Sequence, residues 1–255
     1  MSKLTSLFNE KKHNLLSVFF TAGFPKLNDT EIIIKSLENS GVDFIEVGLP
    51  YSDPLADGPT IQHSSSVALS NGMNLDLIFN HLEALKGSVK IPLVLMGYLN
   101  QIIKYGDVKF CQRCKDCGIE TVIIPDLPMI EYESHYKALF AEYNISNVFL
   151  ITPQTSVERI RKIDEMSNAF IYVVASSSIT GAKGEISEKQ IAYFKRIEQM
   201  NLKSVLIAGF GISDKSTFNK ACEYMNGAII GSAFINYLSD NGSSTITKFV
   251  GDILD

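Results

Sequence analysis

LLSVFFTAGFPKLNDTEIIIKSLENSGVDFIEV, residues 15–47, is the stretch whose reading decides the architecture. Its two ends are short runs of Val, Ile, Leu and Phe that lack the apolar–polar alternation of a half-exposed strand, as expected of parallel strands buried on both faces. Between them, Asn28 with Glu31 three residues later predicts a capping box at a helix start, and Gly41 stands where a glycine ends a helix. A strand, a helix and a second parallel strand make the repeating unit of an α/β fold.

The unit recurs. Further apolar runs at 92–96, 121–124, 147–151, 170–174, 204–207 and 227–230 bring the count to eight with those at 15–21 and 43–47. Thr155 with Glu158 and Ser187 with Gln190 predict capping boxes, Ser213 reads as an N-cap, and Gly118 as a second helix-ending glycine. Eight alternating strands and helices fit a closed barrel or an open doubly wound sheet, and the count of eight favours the (β/α)8 TIM barrel. Residues 4–10 form a short amphipathic helix expected to cap the bottom of that barrel. No repeat of short period, low-complexity tract or Pro/Ser-rich linker divides the chain, so residues 1–255 are expected to form one domain.

A chain that is 45% hydrophobic and 20% charged is globular in composition. The net charge of −5, with no basic run beyond Lys11 and Lys12, argues against a nucleic-acid surface. No stretch approaches the roughly 18 apolar residues of a membrane span, and the start MSKLTSLFNEKKHN has no long apolar core after its first Lys, so a cytoplasmic location is expected. Four cysteines fit a reducing compartment. Cys111, Cys114 and Cys117 have the spacing of part of an iron–sulfur ligand set. Their segment reads as a helix ending at Gly118, with the thiols in one stripe and Cys222 far away, so helix packing is expected and no metal site. His13, His63, His81 and His135 have no metal spacing and read as surface or packing residues.

Barrel enzymes carry their chemistry at the C-terminal ends of the strands. The second strand runs into DFIEVGLPYSDPLADGPTIQ, which puts Glu46 among Phe44, Ile45 and Val47, and Asp53 and Asp57 in a loop rich in Gly and Pro. A carboxylate is costly to bury charged, so such a Glu is pushed toward protonation and suited to acid–base work; a Glu satisfied by loop backbone fits the position equally. Near the other end, AGFGIS with Gly209, Phe210 and Gly211, and IIGSAF with Gly231 and Ser232, are glycine turns after consecutive strands. Such turns let backbone N–H groups hold a phosphate without Lys or Arg. Asp214 stands where a dinucleotide fingerprint would need its third Gly. The polar loop ASSSITGAKGEIS at 175–187 is expected to close over a ligand.

EVGLPYSDPLADGPTIQ closely resembles the signature of tryptophan synthase α subunits. The resemblance continues through TAGFP at 21–25, MGYLN at 96–100, PDLP at 125–128, ITG at 179–181, GFGIS at 209–213 and GSAF at 231–234. It implies retro-aldol cleavage of indole-3-glycerol phosphate to indole and glyceraldehyde 3-phosphate, with no cofactor in this chain. It also implies roles for individual residues. Glu46 is the general acid and base, and Asp57 holds the indole N–H. Phe19 lines the indole pocket, Tyr172 contacts Glu46 or substrate, and Thr180 helps position Asp57. The phosphate lies near Gly181, Gly211, Gly231 and Ser232, with Gly209 and Phe210 in the same turn as Gly211. The implied partner is a β subunit carrying pyridoxal phosphate, in an α2β2 assembly, met by the loop with Asp53 and Pro54 and by the segments around Asn100 and Pro128. Two departures are Ser178, where Gly is common, and Phe24, where Tyr or Asp is frequent; neither touches a catalytic group. Rival readings are a free-standing indole-3-glycerol phosphate lyase and a non-catalytic, phosphate-binding activating subunit; other phosphate-binding barrels lack the block from Glu46 to Asp57.

Overall fold

The computed structural model describes residues 2–175 and 186–255. The strands are β1 (Leu15–Thr21), β2 (Phe44–Gly48), β3 (Leu93–Met96), β4 (Thr121–Ile123), β5 (Ser146–Ile151), β6 (Phe170–Val174), β7 (Val205–Gly209) and β8 (Gly227–Ile230). They close into one barrel in sequence order, every neighbouring pair parallel and β8 returning to β1. The eight apolar runs therefore become the eight staves of the expected TIM barrel.

Alternate residues of each strand point inward. Leu15, Phe19, Phe44, Val94, Ile123, Val148, Phe170, Tyr172, Ile207 and Ile229 fill the interior, and Leu4 and Phe8 of the helix Lys3–Glu10 join them. Phe8 meets Phe44 and Phe170 edge-on at 6.2 Å each, at the first residues of β2 and β6, so this helix plugs the bottom as expected. The outward residues of the strands pack under the surrounding helices in a second, larger apolar layer. The bottom is sealed and the top is left for chemistry. Among the described residues no helix is long and apolar enough to cross a membrane.

The cysteine stripe behaves as packing. Cys111, Cys114 and Cys117 are buried on the helix Asp107–Cys117, which Gly118 ends in the left-handed region at φ 74°. Burial pushes the Cys111 thiol up to about 12 and Cys117 to about 11, the opposite of the depressed values of metal-binding thiolates. His81 and His135 pair with Glu31 and Asp107 on other helices, each at 3.0 Å.

Helix starts follow the sequence in part. Ser187 and Gln190 form their capping box, and Gly41 takes φ +90°. Asn28 makes no side-chain cap bond, because a tight turn from Lys26 to Asp29 (3.1 Å) leads into the helix Asp29–Asn39 and leaves Asn28 out of the extended conformation a cap needs. Two other caps move by one residue. Ser156, not Thr155, accepts from Arg159 N, while Thr155 Oγ1 takes the N–H of Thr152 at 2.9 Å. Asp214, not Ser213, caps the helix Lys215–Cys222, accepting from Thr217 N at 2.8 Å. Each pair offers two adjacent cap-competent side chains, and the approach of the preceding loop selects between them.

Candidate active site

β2 places Glu46 inside the barrel, in register with Phe19 of β1 and Val94 of β3. The side chain has no exposure, and neither carboxyl oxygen has a hydrogen-bond partner among the described residues. The loop-backbone reading of this Glu is therefore not what the described residues provide. Burial raises its pKa from 4.5 to about 8, so at neutral pH the carboxyl is protonated and can give a proton and take one back.

Asp57 lies in the turn between β2 and the helix Pro59–Ser70. Its own N–H donates to Pro54 O at 3.0 Å, and Gln62 Nε2 donates to its carbonyl at 2.9 Å. The carboxylate Oδ2 accepts from the Tyr98 hydroxyl at 2.9 Å, and that hydroxyl in turn accepts from Ala56 N at 3.1 Å. Burial raises the Asp57 pKa and the Tyr98 bond opposes the rise. Tyr98 was not among the sequence-predicted site residues. Its position just past the end of β3 was the available signal, since groups at the top of a barrel strand are placed for function.

A cleft of about 300 Å³, counting its open mouth, opens over the end of β2 at Gly48 and is lined by Asp57 and Tyr98, with Glu46 two residues back along the strand. Phe19, Leu49, Ile61 and Met96 give it apolar walls, and Asp57 and Tyr98 supply its polar edge. Phe19 is the hinge of this arrangement. Its ring fills the place a Cβ on Gly48 would take, and its Cβ stands 3.6 Å from where a Cβ on Gly231 would lie.

Tyr172 of β6 is buried, and its hydroxyl is pushed far up in pKa, first by burial and then by the charges of Glu46 and Asp57. A Cβ on Gly209 would collide with this hydroxyl, so Gly209 makes room for Tyr172. Phe210 at φ +67° and Gly211 at φ +82° turn the chain sharply after β7, and the Phe210 ring meets Tyr172 edge-on at 6.1 Å.

The two glycine turns differ as anion sites. The helix after the first is already capped by the Asp214 carboxylate. The helix Ser232–Asn241 after the second begins at Gly231, and among the described residues no side chain caps the N–H groups around Ser232. Thr180 and Gly181, with Ser178 and the expected lid at 176–185, lie outside the described residues. Among the residues expected to meet a partner, Asp53, Asn100 and Pro128 are exposed and Pro54 is buried, whereas its neighbour Leu55 is 91% exposed. Among the described residues no group of three His, Cys, Asp or Glu side chains could hold a metal ion.

Comparison with known proteins agrees along the whole chain. A family profile described as tryptophan synthase alpha chain matches residues 5–251. The tryptophan synthase alpha chain of Flavobacterium johnsoniae is 55% identical over 253 residues, covering 99% of this chain and 100% of that one. Among solved structures, a mutant tryptophan synthase alpha-subunit from Pyrococcus furiosus has a TM-score of 0.86 at 31% identity, covering 96% of this chain and 99% of its own. Tryptophan synthase from M. tuberculosis in an aminoacrylate-bound form has a TM-score of 0.86 at 26% identity, covering 99% and 98%. With its barrel, its buried glutamate and these matches, the chain belongs to the tryptophan synthase alpha chain family.

Proposed function

We propose that the cleft is the site where indole-3-glycerol phosphate is cleaved to indole and glyceraldehyde 3-phosphate in tryptophan biosynthesis, with Glu46 moving the protons. The observation that carries this reading is Glu46 itself: inward-facing, without a partner among the described residues, and raised to about 8. The flat apolar ring lies between Phe19 and the opposite walls, its N–H toward Asp57. Glu46 donates its proton to the indole C3, and the ring becomes a cationic indolenine whose N–H is held by the Asp57 carboxylate. The carboxylate of Glu46 then takes the proton of the glycerol hydroxyl on the carbon bonded to C3. That carbon becomes an aldehyde, the carbon–carbon bond breaks, and its electron pair returns to the ring to give neutral indole. Glu46 ends protonated, as it began.

Tyr172, inward-facing on β6, contacts Glu46 or the substrate. The phosphate rests on the uncapped helix start at Gly231 and Ser232, beside the turn at Gly211. The chain works in the cytoplasm in an α2β2 complex with a pyridoxal phosphate-dependent β subunit that takes up the indole, and the exposed Asp53, Leu55, Asn100 and Pro128 form the contacting face.

The test is to supply purified chain with indole-3-glycerol phosphate, alone and with a β subunit, and to measure indole and glyceraldehyde 3-phosphate. Equal amounts of both products, released faster with the partner, are expected. Absence of both products in both conditions would leave only a phosphate-binding role.

A further inference from the structure

The loop that carries Asp57 is fastened to the segment after β3 at several points. Gln101 Nε2 donates to Pro50 O at 2.8 Å, and Gln101 Oε1 accepts from Tyr98 N at 3.0 Å. The rings of Tyr51 and Tyr98 stack, with centroids 5.1 Å apart and planes 30° apart. Asn100 Nδ2 donates to the Tyr51 hydroxyl at 3.0 Å. At the far end of the stacked pair, the Tyr98 hydroxyl is the group that bonds both Ala56 N and the Asp57 carboxylate. Tyr98 is almost fully buried, whereas Tyr51 is partly exposed and Asn100 lies at the surface.

We propose that Tyr51 is a positioning residue, which holds the ring of Tyr98 so that its hydroxyl fixes Asp57, with Asn100 as the surface tether of the pair. This inference rests on the reading of Asp57 as the partner of the substrate's ring N–H. A tyrosine hydroxyl stands at the end of a long lever: a tilt of about 10° at its base moves it by about 1 Å, a misplacement that can cost roughly 10²-fold in rate. The stacked face of Tyr51 resists that tilt, and the Asn100 amide stops Tyr51 from sliding. The tether lies on the face assigned above to the partner, so contact there reaches Asp57 through two side chains.

The experiment is a mutant cycle of Tyr51→Leu, which removes the stack, Tyr51→Phe, which keeps the ring and releases Asn100, and Tyr98→Phe, which removes both hydroxyl bonds. Each is assayed for indole release with the β subunit present. In each, the Asp57 carboxyl carbon is also titrated by NMR, a readout that does not depend on activity. Tyr51→Leu is expected to lower kcat by about 10-fold or more with little change in KM. It is also expected to raise the Asp57 pKa, because a loosened Tyr98 bond no longer opposes the effect of burial. Tyr51→Phe should fall between it and wild type. In the Tyr98→Phe background neither Tyr51 substitution should add to the loss. If Tyr51→Leu does not fold, the same non-additivity is required of Tyr51→Phe. Additive losses in the two backgrounds, or an Asp57 titration unmoved by Tyr51 substitution, would overturn the proposal while leaving the cleavage reading intact. A wild-type chain that makes no indole would overturn the cleavage reading, and the titration would still decide whether Tyr51 is coupled to Asp57.

Discussion

Replacing Glu46 with Gln removes a proton site while keeping the size of the side chain, and the structure gives the size of its effect on stability. The folded chain holds the Glu46 proton up to about pH 8, whereas the unfolded chain releases it near 4.5. Between those values the unfolded state binds fewer protons than the folded one, so unfolding becomes easier as pH rises. The stability due to the protonated buried carboxyl is fully present below about 4.5 and is lost progressively on the way to 8. At about 1.4 kcal/mol for each tenfold change in the protonation constant, the loss reaches at most about 5 kcal/mol above pH 8. Glutamine cannot ionise and escapes it. A buried amide without a partner carries its own cost of about 1–3 kcal/mol, but that cost does not vary with pH, so the slope holds the information and not the offset. The assay is urea unfolding of wild type and Glu46→Gln from about pH 5 to about pH 9, with all other titrations common to both proteins and cancelling in the difference. The stability of Glu46→Gln relative to wild type is expected to rise with pH up to about 8 and to level off above it. A difference that stays constant would refute a buried, proton-holding Glu46.

Two other substitutions test the rest of the site. Gly209→Ala drives a methyl group into the Tyr172 hydroxyl, so it should destabilise the fold by about 1–3 kcal/mol, measured by urea unfolding, and lower kcat as Tyr172 is displaced; unchanged stability and rate would contradict the packing assigned to Gly209. Gly231→Val should raise KM for the phosphate-bearing substrate strongly and weaken competition by inorganic sulfate, because a branched side chain blocks approach to the uncapped helix start; an unchanged KM would move the phosphate elsewhere.

The barrel was legible because burial on both faces writes an unbroken apolar run for each strand, and the helix at its base because its apolar stripe had nowhere else to go. Glu46 was legible for a related reason, as a charge set inside such a run. Other features depend on contacts between distant parts of the chain. Tyr98 meets Asp57 across 41 positions, and a tyrosine after a strand looks the same whether or not a carboxylate arrives beside it. Gly209 read as part of a phosphate turn, yet its missing side chain is filled by the Tyr172 hydroxyl from the neighbouring strand. The phosphate turns themselves looked equivalent until Asp214 took the cap of one helix and left the other open. Pro54, expected at a partner surface, is covered, and the exposed apolar group of that loop is Leu55.

The most direct measurement is the single-turnover rate of indole release by Glu46→Gln, with phosphate-site occupancy checked in the same protein by sulfate binding. Sulfate is expected to bind as in wild type while cleavage falls by at least about 10²–10⁴-fold, since one carboxyl serves both proton transfers. Retention of more than half the wild-type rate would contradict it.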